Sequence, residues 1–413
     1  MKISIITQYY PPERINRTSE LALGLKDLGH DVNVVTAFPN YPDGKLFDGY
    51  KQKFGHAEDI SGIPVRRVPV FISHSQNAVG RILNYLSFGF NSLSSSSFTK
   101  SSDVVYVYAT QITAAIGPYW WKKFRGQPYV LHIQDLWPES VTGSGMLPKW
   151  LSQVAKALMT PLINSAYRNA AAVIGISPTM TQTLTQRGAT PQTSSTLFNW
   201  SENEPTLVTD TDQEELPLSN PNDDSLRVIY AGNIGPMQDW GTVLDALSLL
   251  EDDNDRLILD AFGTGTSFDE ISARADRLKL YNTKFHGWIQ PESLEQYYRQ
   301  ADFVLVTLKD LEVFEMTIPS KFQSAIANGI PVITNVPGDL ARIVKVENLG
   351  FVASPGSPSS LAQAFSAALS SSTSDRASMS ANAKALYHTQ MSVQSGVRTV
   401  AKILEDTQVP KTI

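Results

Sequence analysis

The feature that most constrains the fold is a strand–helix alternation that runs through the chain twice. Residues 2–7 and 31–36 are short β-branched runs, and residues 18–28 between them carry leucines at a helical period. Gly29 ends that predicted helix. Similar runs recur, with helical segments between them, at residues 65–70, 104–108, 129–133 and 173–176. This alternation predicts a parallel sheet covered by helices.

The pattern restarts after a polar stretch. Residues 202–225 are rich in Asp, Glu, Pro, Ser and Thr without a period, which is typical of a linker or surface loop. Predicted strands then follow at residues 227–231, 257–262, 284–286, 303–307 and 331–334. We therefore expect an α/β protein with two Rossmann-like, doubly wound domains that face a cleft. The expected boundaries are 1–200 for the first domain, 201–225 for the linker, 226–385 for the second domain and 386–413 for a closing helix that packs back on the first.

Composition excludes several functional classes. The net charge of -6 argues against a dedicated nucleic-acid binder, whose surface would be basic. The absence of cysteine excludes disulfides, thiolate metal sites and cysteine nucleophiles. No run of 18 apolar residues spans a membrane, and the N-terminal apolar run is too short for a signal peptide. We expect a cytoplasmic protein with no nucleic-acid partner.

Two motifs in the second half favour an anion site. Gly232-Asn233-Ile234-Gly235 follows a predicted strand and precedes a helix, where glycines let backbone N–H groups approach a phosphate. A plain turn is the equal alternative. Pro319-Ser320-Lys321 opens a predicted helix, and a lysine there opposes the helix dipole unless an anion is bound. We favour phosphate contact over a lysine that extends to solvent.

Two further motifs lie in the first half. His132, Asp135, Trp137 and Glu139 follow the strand at 129–133, where acid–base chemistry and hydroxyl recognition are expected. One of the two carboxylates could instead cap a helix.

After the first strand, the segment 9–17 carries Arg14, Asn16 and Arg17 beside a carboxylate, which suits an anionic or hydroxylated ligand as well as it suits a solvated loop. Asp210 and Asp212 lie in the acidic linker, and we interpret them as surface charge rather than a metal site.

Seven short motifs in this order resemble family 4 glycosyltransferases, a nucleotide-sugar-dependent family with the two-Rossmann GT-B fold. The likeness is to the subgroup that builds bacterial surface polysaccharides, including fucosamine-transferase-like enzymes. The motifs cover nearly the whole chain: YYPPE at 9–13, GHDV at 29–32, FPNYP at 38–42, DLWPES at 135–140, GNIG at 232–235, PSK at 319–321 and ANGIPV at 327–332.

The resemblance implies a retaining, hexosyltransferase-type transfer from a nucleoside diphosphate sugar, with uridine as the expected base, to an acceptor hydroxyl. The C-terminal domain would hold the nucleotide and the N-terminal domain a carbohydrate or lipid-linked acceptor. No metal or other cofactor is expected, because helix dipoles and cations stabilise the leaving diphosphate. The implied nucleotide contacts are Gly232, Asn233, Gly235, Gln238, Gly287, Trp288, Ile289, Ser320, Lys321 and Ser324.

This sequence departs from the family pattern at the ribose position. Many members carry two glutamates eight positions apart; here the second position is Ser324 and the first falls on Met316, with Glu315 beside it. Asn233 and Gln238 replace the usual basic pair after the glycine turn. We expect Glu315 to contact the donor sugar or ribose. The alternative is that Glu315 is a solvated loop acid.

Membrane contact and two other functions stay open. Residues 82–93 form an apolar helical stripe that we expect to pack on the sheet. Residues 120–125 place aromatics beside cations. For this segment, contact with the inner membrane face and packing against the protein are equal alternatives. The other functions are a sugar-nucleotide epimerase, and a catalytically silent homologue that binds sugar nucleotide or a partner transferase.

Overall fold

The computed structural model describes residues 1–14, 16–72, 78–139, 149–201, 225–250 and 256–408. Ser140 and residues 202–224 of the predicted linker, with Asp210 and Asp212, lie outside the described residues. The chain divides into two compact units, one of residues 1–202 with 393–413 and one of residues 203–392.

The first unit contains an eight-stranded sheet in the order β3-β4-β2-β1-β5-β6-β7-β8. All neighbours pair in parallel except β3 and β4. Its strands are Lys2–Thr7 (β1), Asp31–Ala37 (β2), His56–Ile60 (β3), Ile63–Val68 (β4), Val104–Ala109 (β5), Tyr129–Ile133 (β6), Ala172–Gly175 (β7) and Ser194–Thr196 (β8).

Helices cover this sheet on both faces, as parallel strands require. They are Arg17–Asp27 (α1), Ala78–Ser92 (α2), Ser96–Thr99 (α3), Ile116–Arg125 (α4), Lys149–Asn169 (α5) and Pro178–Gln186 (α6), with 3-10 turns at Leu93–Ser95, Ile112–Ala115 and Pro191–Thr193. The last helix of the chain, Val393–Asp406, also belongs to this unit and packs beside α1. There Val397 lies so close to Gly24 that a Cβ on the glycine would be 2.7 Å from its Cγ2.

The second unit contains a six-stranded parallel sheet in the order β11-β10-β9-β12-β13-β14. Its strands are Leu226–Ala231 (β9), Leu257–Phe262 (β10), Thr283–Gly287 (β11), Phe303–Val306 (β12), Val332–Thr334 (β13) and Gly350–Val352 (β14). Its helices are Trp240–Ser248 (α7), Phe268–Arg277 (α8), Pro291–Arg299 (α9), Ser320–Ala327 (α10), Asp339–Val346 (α11), Pro358–Leu369 (α12) and Thr373–Leu386 (α13), with a 3-10 turn at Glu312–Met316 and a π-helical turn at Tyr387–Met391; the last helix, Val393–Asp406, is α14.

The predicted strands are confirmed to within about two residues, and three strands were missed. The missed β3 forms a hairpin with β4 through Ser61 and Gly62, whose φ angles are 55° and 74°. Two positive φ values are the mark of a type I′ turn, which suits a two-residue hairpin. Strands β8 and β14 have three residues each, too few to show a period.

The expectation that the stripe at 82–93 packs on the sheet is wrong for several of its members. Leu83, Leu86 and Phe90 are 44%, 36% and 57% exposed, whereas Phe88, outside the stripe, is fully buried. The helix is turned so that Phe88 faces the core, and part of the apolar stripe faces solvent.

Candidate functional site

The second unit has a topological switch point between β9 and β12. From β9 the chain adds β10 and β11 on one side and then crosses to place β12 on the other. In open α/β sheets the loops that leave such a pair of strands diverge and form a crevice at their carboxyl ends. The loop after β9 begins at Gly232, and the segment after β12 leads through residues 307–319 to α10.

Gly232 and Lys321 meet at this crevice. A Cβ on Gly232 would lie 2.6 Å from Lys321 Cε and 2.9 Å from Nζ, and Gly232 has a φ of 137°. Any side chain at position 232 would therefore displace the lysine, and few would adopt the backbone angle. The two motifs that the sequence singled out separately form one site.

Lys321 is a cation that is partly removed from solvent. Its Nζ lies 4.9 Å from the centre of the Tyr230 ring, a cation–π contact. Burial lowers the pKa of Lys321 to about 8. None of the described residues forms a salt bridge with it. An anion beside Lys321 would supply the missing counter-charge.

A second glycine turn, which the sequence reasoning missed, supports the first. A Cβ on Gly263 would lie 2.0 Å from the Gly232 carbonyl oxygen, and one on Gly265 would lie 2.3 Å from that of Ile234. The Ile234 N–H donates to the carbonyl of Thr264 at 2.9 Å. The signal was a G-x-G directly after β10.

Asn233 and Gln238 form hydrogen bonds within the first glycine turn. The Gln238 Oε1 accepts hydrogen bonds from the Gly235 N–H at 3.0 Å and from Asn233 Nδ2 at 3.2 Å. Both amides are neutral, so Lys321 is the cation that this turn contacts directly among the described residues.

Gly287, Trp288 and Ile289 follow β11 at the same edge of the sheet. The Gly287 carbonyl accepts from the Gly263 N–H at 2.7 Å, which joins this loop to the glycine turns. The Trp288 side chain is 62% exposed, so its indole face is accessible to a flat ligand.

Glu315 and Ser324 lie on the segment that connects β12 to α10 and on α10 itself. Glu315 is exposed on the 3-10 turn, and Gly338 approaches its backbone so closely that a Cβ would lie 1.9 Å from the Glu315 carbonyl oxygen. Ser320 is exposed at the start of α10, and Ser324 is half-buried one turn later. Lys321 and Ser324 are three residues apart, so they share one side of the helix.

The first unit has its own switch point, between β1 and β5. The chain adds β2 and β4 on one side of β1 and then places β5 on the other. The loop after β1 carries Arg14 and Asn16, which are both exposed. Arg17, at the start of α1, donates from Nε to the Trp200 carbonyl at 3.0 Å.

The carboxylate in that loop does not face a ligand. Glu13 is 2% exposed and accepts hydrogen bonds from the N–H groups of Tyr10, Asn40 and Tyr41 at 3.3, 2.9 and 2.8 Å. Burial raises the pKa of Glu13, and these hydrogen bonds oppose the rise. Glu13 ties the loop after β1 to the loop after β2, which corrects the interpretation that it serves a ligand.

His132 and Trp137 are buried, contrary to the expectation that they bind substrate. His132 is fully buried in β6, and its Nδ1 pairs with the Tyr106 hydroxyl at 2.5 Å. Burial lowers its pKa to about 3, so the imidazole stays neutral. Trp137 is 4% exposed and packs edge-on against Tyr85 with 5.8 Å between ring centres.

Glu139 and Asp135 differ in environment. Glu139 binds Arg187 through both oxygens, at 2.9 and 3.0 Å, and Lys156 lies 3.4 Å away. Burial would raise the pKa of Glu139, but the Arg187 hydrogen bonds and charge outweigh it and lower the pKa. This is the geometry of a structural ion pair, not of a proton donor.

Asp135, by contrast, has an exposed side chain, yet the protein atoms around its carboxyl partly desolvate it and raise its pKa. Within the described ranges, no hydrogen bond or ion pair holds it. Asp135 is therefore the carboxylate of the motif that stays available.

Two parallel doubly wound sheets in one chain define the GT-B architecture. The protein matches two family models, "Glycosyl transferase 4-like domain" at residues 15–199 and "Glycosyl transferases group 1" at residues 212–386. Together these models span most of the chain. The chain belongs to the family 4 glycosyltransferases, and it is a glycosyltransferase.

Relatives and solved structures agree with this. The chain is 27% identical over 338 residues to the putative colanic acid biosynthesis glycosyl transferase WcaI of Escherichia coli K12, which covers 80% of this chain and 82% of WcaI. It is similar in fold to HepE of Anabaena solved with UDP, with a TM-score of 0.67 and 18% identity over 98% of this chain and 100% of that one. It is also similar to WaaG, a glycosyltransferase involved in lipopolysaccharide biosynthesis, with a TM-score of 0.64 and 15% identity over 98% and 99% of the two chains.

Proposed function

We propose that this protein is a retaining glycosyltransferase that moves a sugar from a UDP-sugar to an acceptor hydroxyl in polysaccharide or glycoconjugate biosynthesis. The observation that carries the proposal is the contact between Gly232 and the half-buried Lys321 at the β9–β12 switch point. The name of WcaI and the UDP bound to HepE support the pathway and the nucleotide. Retention of configuration rests on the family resemblance.

The crevice suits a diphosphate for two physical reasons. Gly232 leaves the backbone open to close approach, and the start of α10 adds the positive end of a helix dipole. The Lys321 ammonium then stabilises the charge that develops on the leaving diphosphate. A protein cation can therefore assist departure of the leaving group.

We assign the remaining donor contacts from the positions of the sequence motifs. Trp288 would stack on the base, and Glu315 would accept hydrogen bonds from the donor sugar or ribose. Ser324, on the same side of α10 as Lys321, would reach the nucleotide with a hydroxyl where relatives have a carboxylate.

On the acceptor side we assign the leading role to Asp135. Its raised pKa makes the carboxylate a stronger base than an ordinary aspartate, which suits it to accept the proton of the attacking hydroxyl. Arg14, Asn16 and Arg17 would bind the acceptor further along the loop after β1.

We also propose that the acceptor is reached at an anionic lipid surface. On α4, Phe124 is 78% exposed and stacks on Trp120 at 5.4 Å, with Lys123 Nζ 5.1 Å from the Trp120 ring centre. On α5, Leu158 and Leu162 are 69% and 74% exposed. Exposed aromatic and aliphatic residues beside cations are typical of an interfacial surface. Among the described residues, no helix is long and apolar enough to cross a membrane.

Vesicle flotation tests the lipid proposal. The protein should float with phosphatidylglycerol vesicles and not with phosphatidylcholine vesicles. Replacing Phe124 and Leu162 by serine should abolish flotation, whereas replacing the exposed Tyr281 of the second unit by serine should not. Flotation of the double variant at the wild-type level would contradict the assignment.

Calorimetric titration with UDP tests the donor site. Lys321→Ala should weaken UDP binding by about 1.5–3 kcal/mol, the range for a hydrogen bond to a charged group. Lys345→Ala removes an exposed lysine from the same unit and should leave the affinity unchanged. Equal UDP affinity in Lys321→Ala and the wild type would refute the site.

Turnover assays separate the alternative functions. Conversion of a UDP-sugar to its epimer without acceptor would identify an epimerase. Donor binding with neither hydrolysis nor transfer across an acceptor panel would identify a silent homologue, which the serine at position 324 makes the main competitor.

A further inference from the structure

Tyrosines line the switch-point crevice of the first unit. Tyr9 follows β1, and its ring centre lies 5.2 Å from that of Tyr41, which follows β2. The Tyr85 ring, on α2, packs on Trp137 after β6, and both Tyr9 and Tyr41 lie near enough to its hydroxyl to act on its pKa. The three tyrosines, from three separate segments, therefore form one cluster at the carboxyl edge of the sheet.

The position of α2 over this edge is fixed by amide hydrogen bonds. Gln8 Nε2 donates to Asn84 Oδ1 at 2.5 Å, and Asn84 Nδ2 donates to the Phe71 carbonyl at 2.7 Å. Gln8 also accepts from Gln111, the residue two positions after β5. These amide hydrogen bonds hold Tyr85, the neighbour of Asn84, beside the loop after β1.

Opposite charges flank the cluster. Burial raises the pKa of the Tyr85 hydroxyl, and the charges of Arg81 and Asp135 act on it in opposite directions. Burial also raises the pKa of Tyr9, which Arg81 lowers. Arg81 lies one helical turn before Tyr85 and is exposed, and no carboxylate among the described residues forms a salt bridge with it. The Tyr9 and Tyr85 hydroxyls thus remain neutral donors beside an exposed guanidinium.

We propose that Tyr9, Tyr41, Arg81 and Tyr85 form the acceptor-recognition site and that it takes a pyranose with a negatively charged substituent. The apolar face of a sugar ring packs on aromatic rings, and tyrosine and aspartate bond its hydroxyls. The Arg81 guanidinium matches the planar geometry of a carboxylate or the oxygens of a phosphate. This inference rests on the proposed function, which treats the first unit as the acceptor side.

Three probe sugars test the site with the full-length protein. Methyl β-glucuronide carries a carboxylate, glucose 1-phosphate carries a phosphate, and methyl β-glucoside is the neutral reference. Binding is measured by saturation-transfer NMR, and UDP affinity is measured in parallel by calorimetry. One of the two anionic probes should bind about tenfold or more tightly than the neutral sugar, as expected for charge-assisted hydrogen bonds. Which of them binds distinguishes an acidic sugar from a sugar phosphate.

Variants assign that preference to the cluster. Arg81→Gln should remove the preference for the anionic probe, and Tyr85→Phe, which keeps the ring, should weaken binding of all probes that bind. Arg277→Gln removes an exposed arginine from the second unit and should change nothing. Thermal melts identify any variant that fails to fold.

The outcomes are separable from those of the donor site. Equal binding of neutral and anionic sugars, no binding of any probe, or an unchanged preference in Arg81→Gln would overturn the inference even if UDP binds normally. Loss of UDP binding by the wild type would instead overturn the proposed function.

Discussion

The switch-point crevices of the two units are lined by different kinds of residue. In the second unit, glycines at 232 and 263 bring backbones together beside one half-buried lysine that has no salt-bridge partner among the described residues. In the first unit, the corresponding edge is lined by tyrosine rings and by hydrogen-bonded glutamine and asparagine side chains. The same topology therefore provides two places for a ligand, and the loop residues decide which chemistry each place accepts.

In the function that we propose, this difference assigns the two halves of a transfer reaction to the two units. A diphosphate needs close backbone approach and a cation, which glycine and Lys321 supply. A sugar acceptor needs broad aromatic faces and hydroxyl partners, which the tyrosine cluster and Asp135 supply. Changes on one side should therefore leave the binding step of the other side intact.

The largest effect is expected from Asp135→Asn. The change removes the proton acceptor and keeps the shape, so turnover should fall about 10²–10⁴-fold, the range for general acid–base catalysis. UDP affinity should not change. Steady-state kinetics with calorimetry measure both, and Glu139→Gln is the matched comparison, because loss of the Arg187 ion pair should lower the melting temperature more than the rate. Full activity with reduced thermal stability in Asp135→Asn would show that this aspartate is structural.

Gly232→Val should reduce UDP affinity by at least about 100-fold. The new Cβ would meet Lys321 at 2.6 Å, and a β-branched residue at a φ of 137° adds strain of about 1–3 kcal/mol. Gly356→Val is the control, because Gly356 also has a positive φ but has no atom within 4 Å of its Cβ position. A similar loss of UDP affinity in both variants would attribute the effect to backbone strain alone.

UDP affinity should fall as pH rises through the pKa of Lys321, about 8. The lysine is charged below that pH and neutral above it, so the attraction to the diphosphate is lost in the alkaline range. Between pH 7 and pH 9 we expect a decrease of about tenfold. Lys321→Arg keeps its charge across this range, and its pH profile should be flat. A flat pH profile of UDP affinity in the wild type would show that the charge of Lys321 does not contribute to UDP binding.

The smallest effect is expected from Ser324→Glu. If position 324 faces the ribose, the longer carboxylate should leave UDP affinity unchanged or tighten it by up to about tenfold, as one charge-assisted hydrogen bond would. Ser320→Glu, one turn earlier on α10, is the comparison. Weaker UDP binding in Ser324→Glu would show that this part of α10 does not follow the family pattern.

The anion site that we propose around Gly232 and Lys321 was predictable from the sequence because its signals are local. Gly232 directly follows a predicted strand. Lys321 opens a predicted helix, where its charge opposes the helix dipole. Each signal can be recognised from a few neighbouring residues. What the sequence could not state was that the two meet, because contact across about 90 residues depends on the strand order. The second glycine turn at 263–265 had a local signal that was overlooked.

The first unit was harder to predict because burial is not a local property. His132 and Glu13 are chemically suited to a site, yet one is enclosed in β6 and the other binds three backbone N–H groups. Tyr85 belonged to no motif, and Tyr41 belonged to the FPNYP motif at 38–42 without any local signal that it lies beside a ligand. They are recognised only when α2 is placed over the end of β1.

The most direct test is a crystal structure of the protein with a UDP-sugar. We predict that the diphosphate lies against the Gly232 backbone and Lys321 Nζ, with the base beside Trp288 and the crevice between β1 and β5 free of nucleotide. A diphosphate bound instead among Tyr9, Arg81 and Tyr85, with Lys321 uncontacted, would contradict the assignment of the two units.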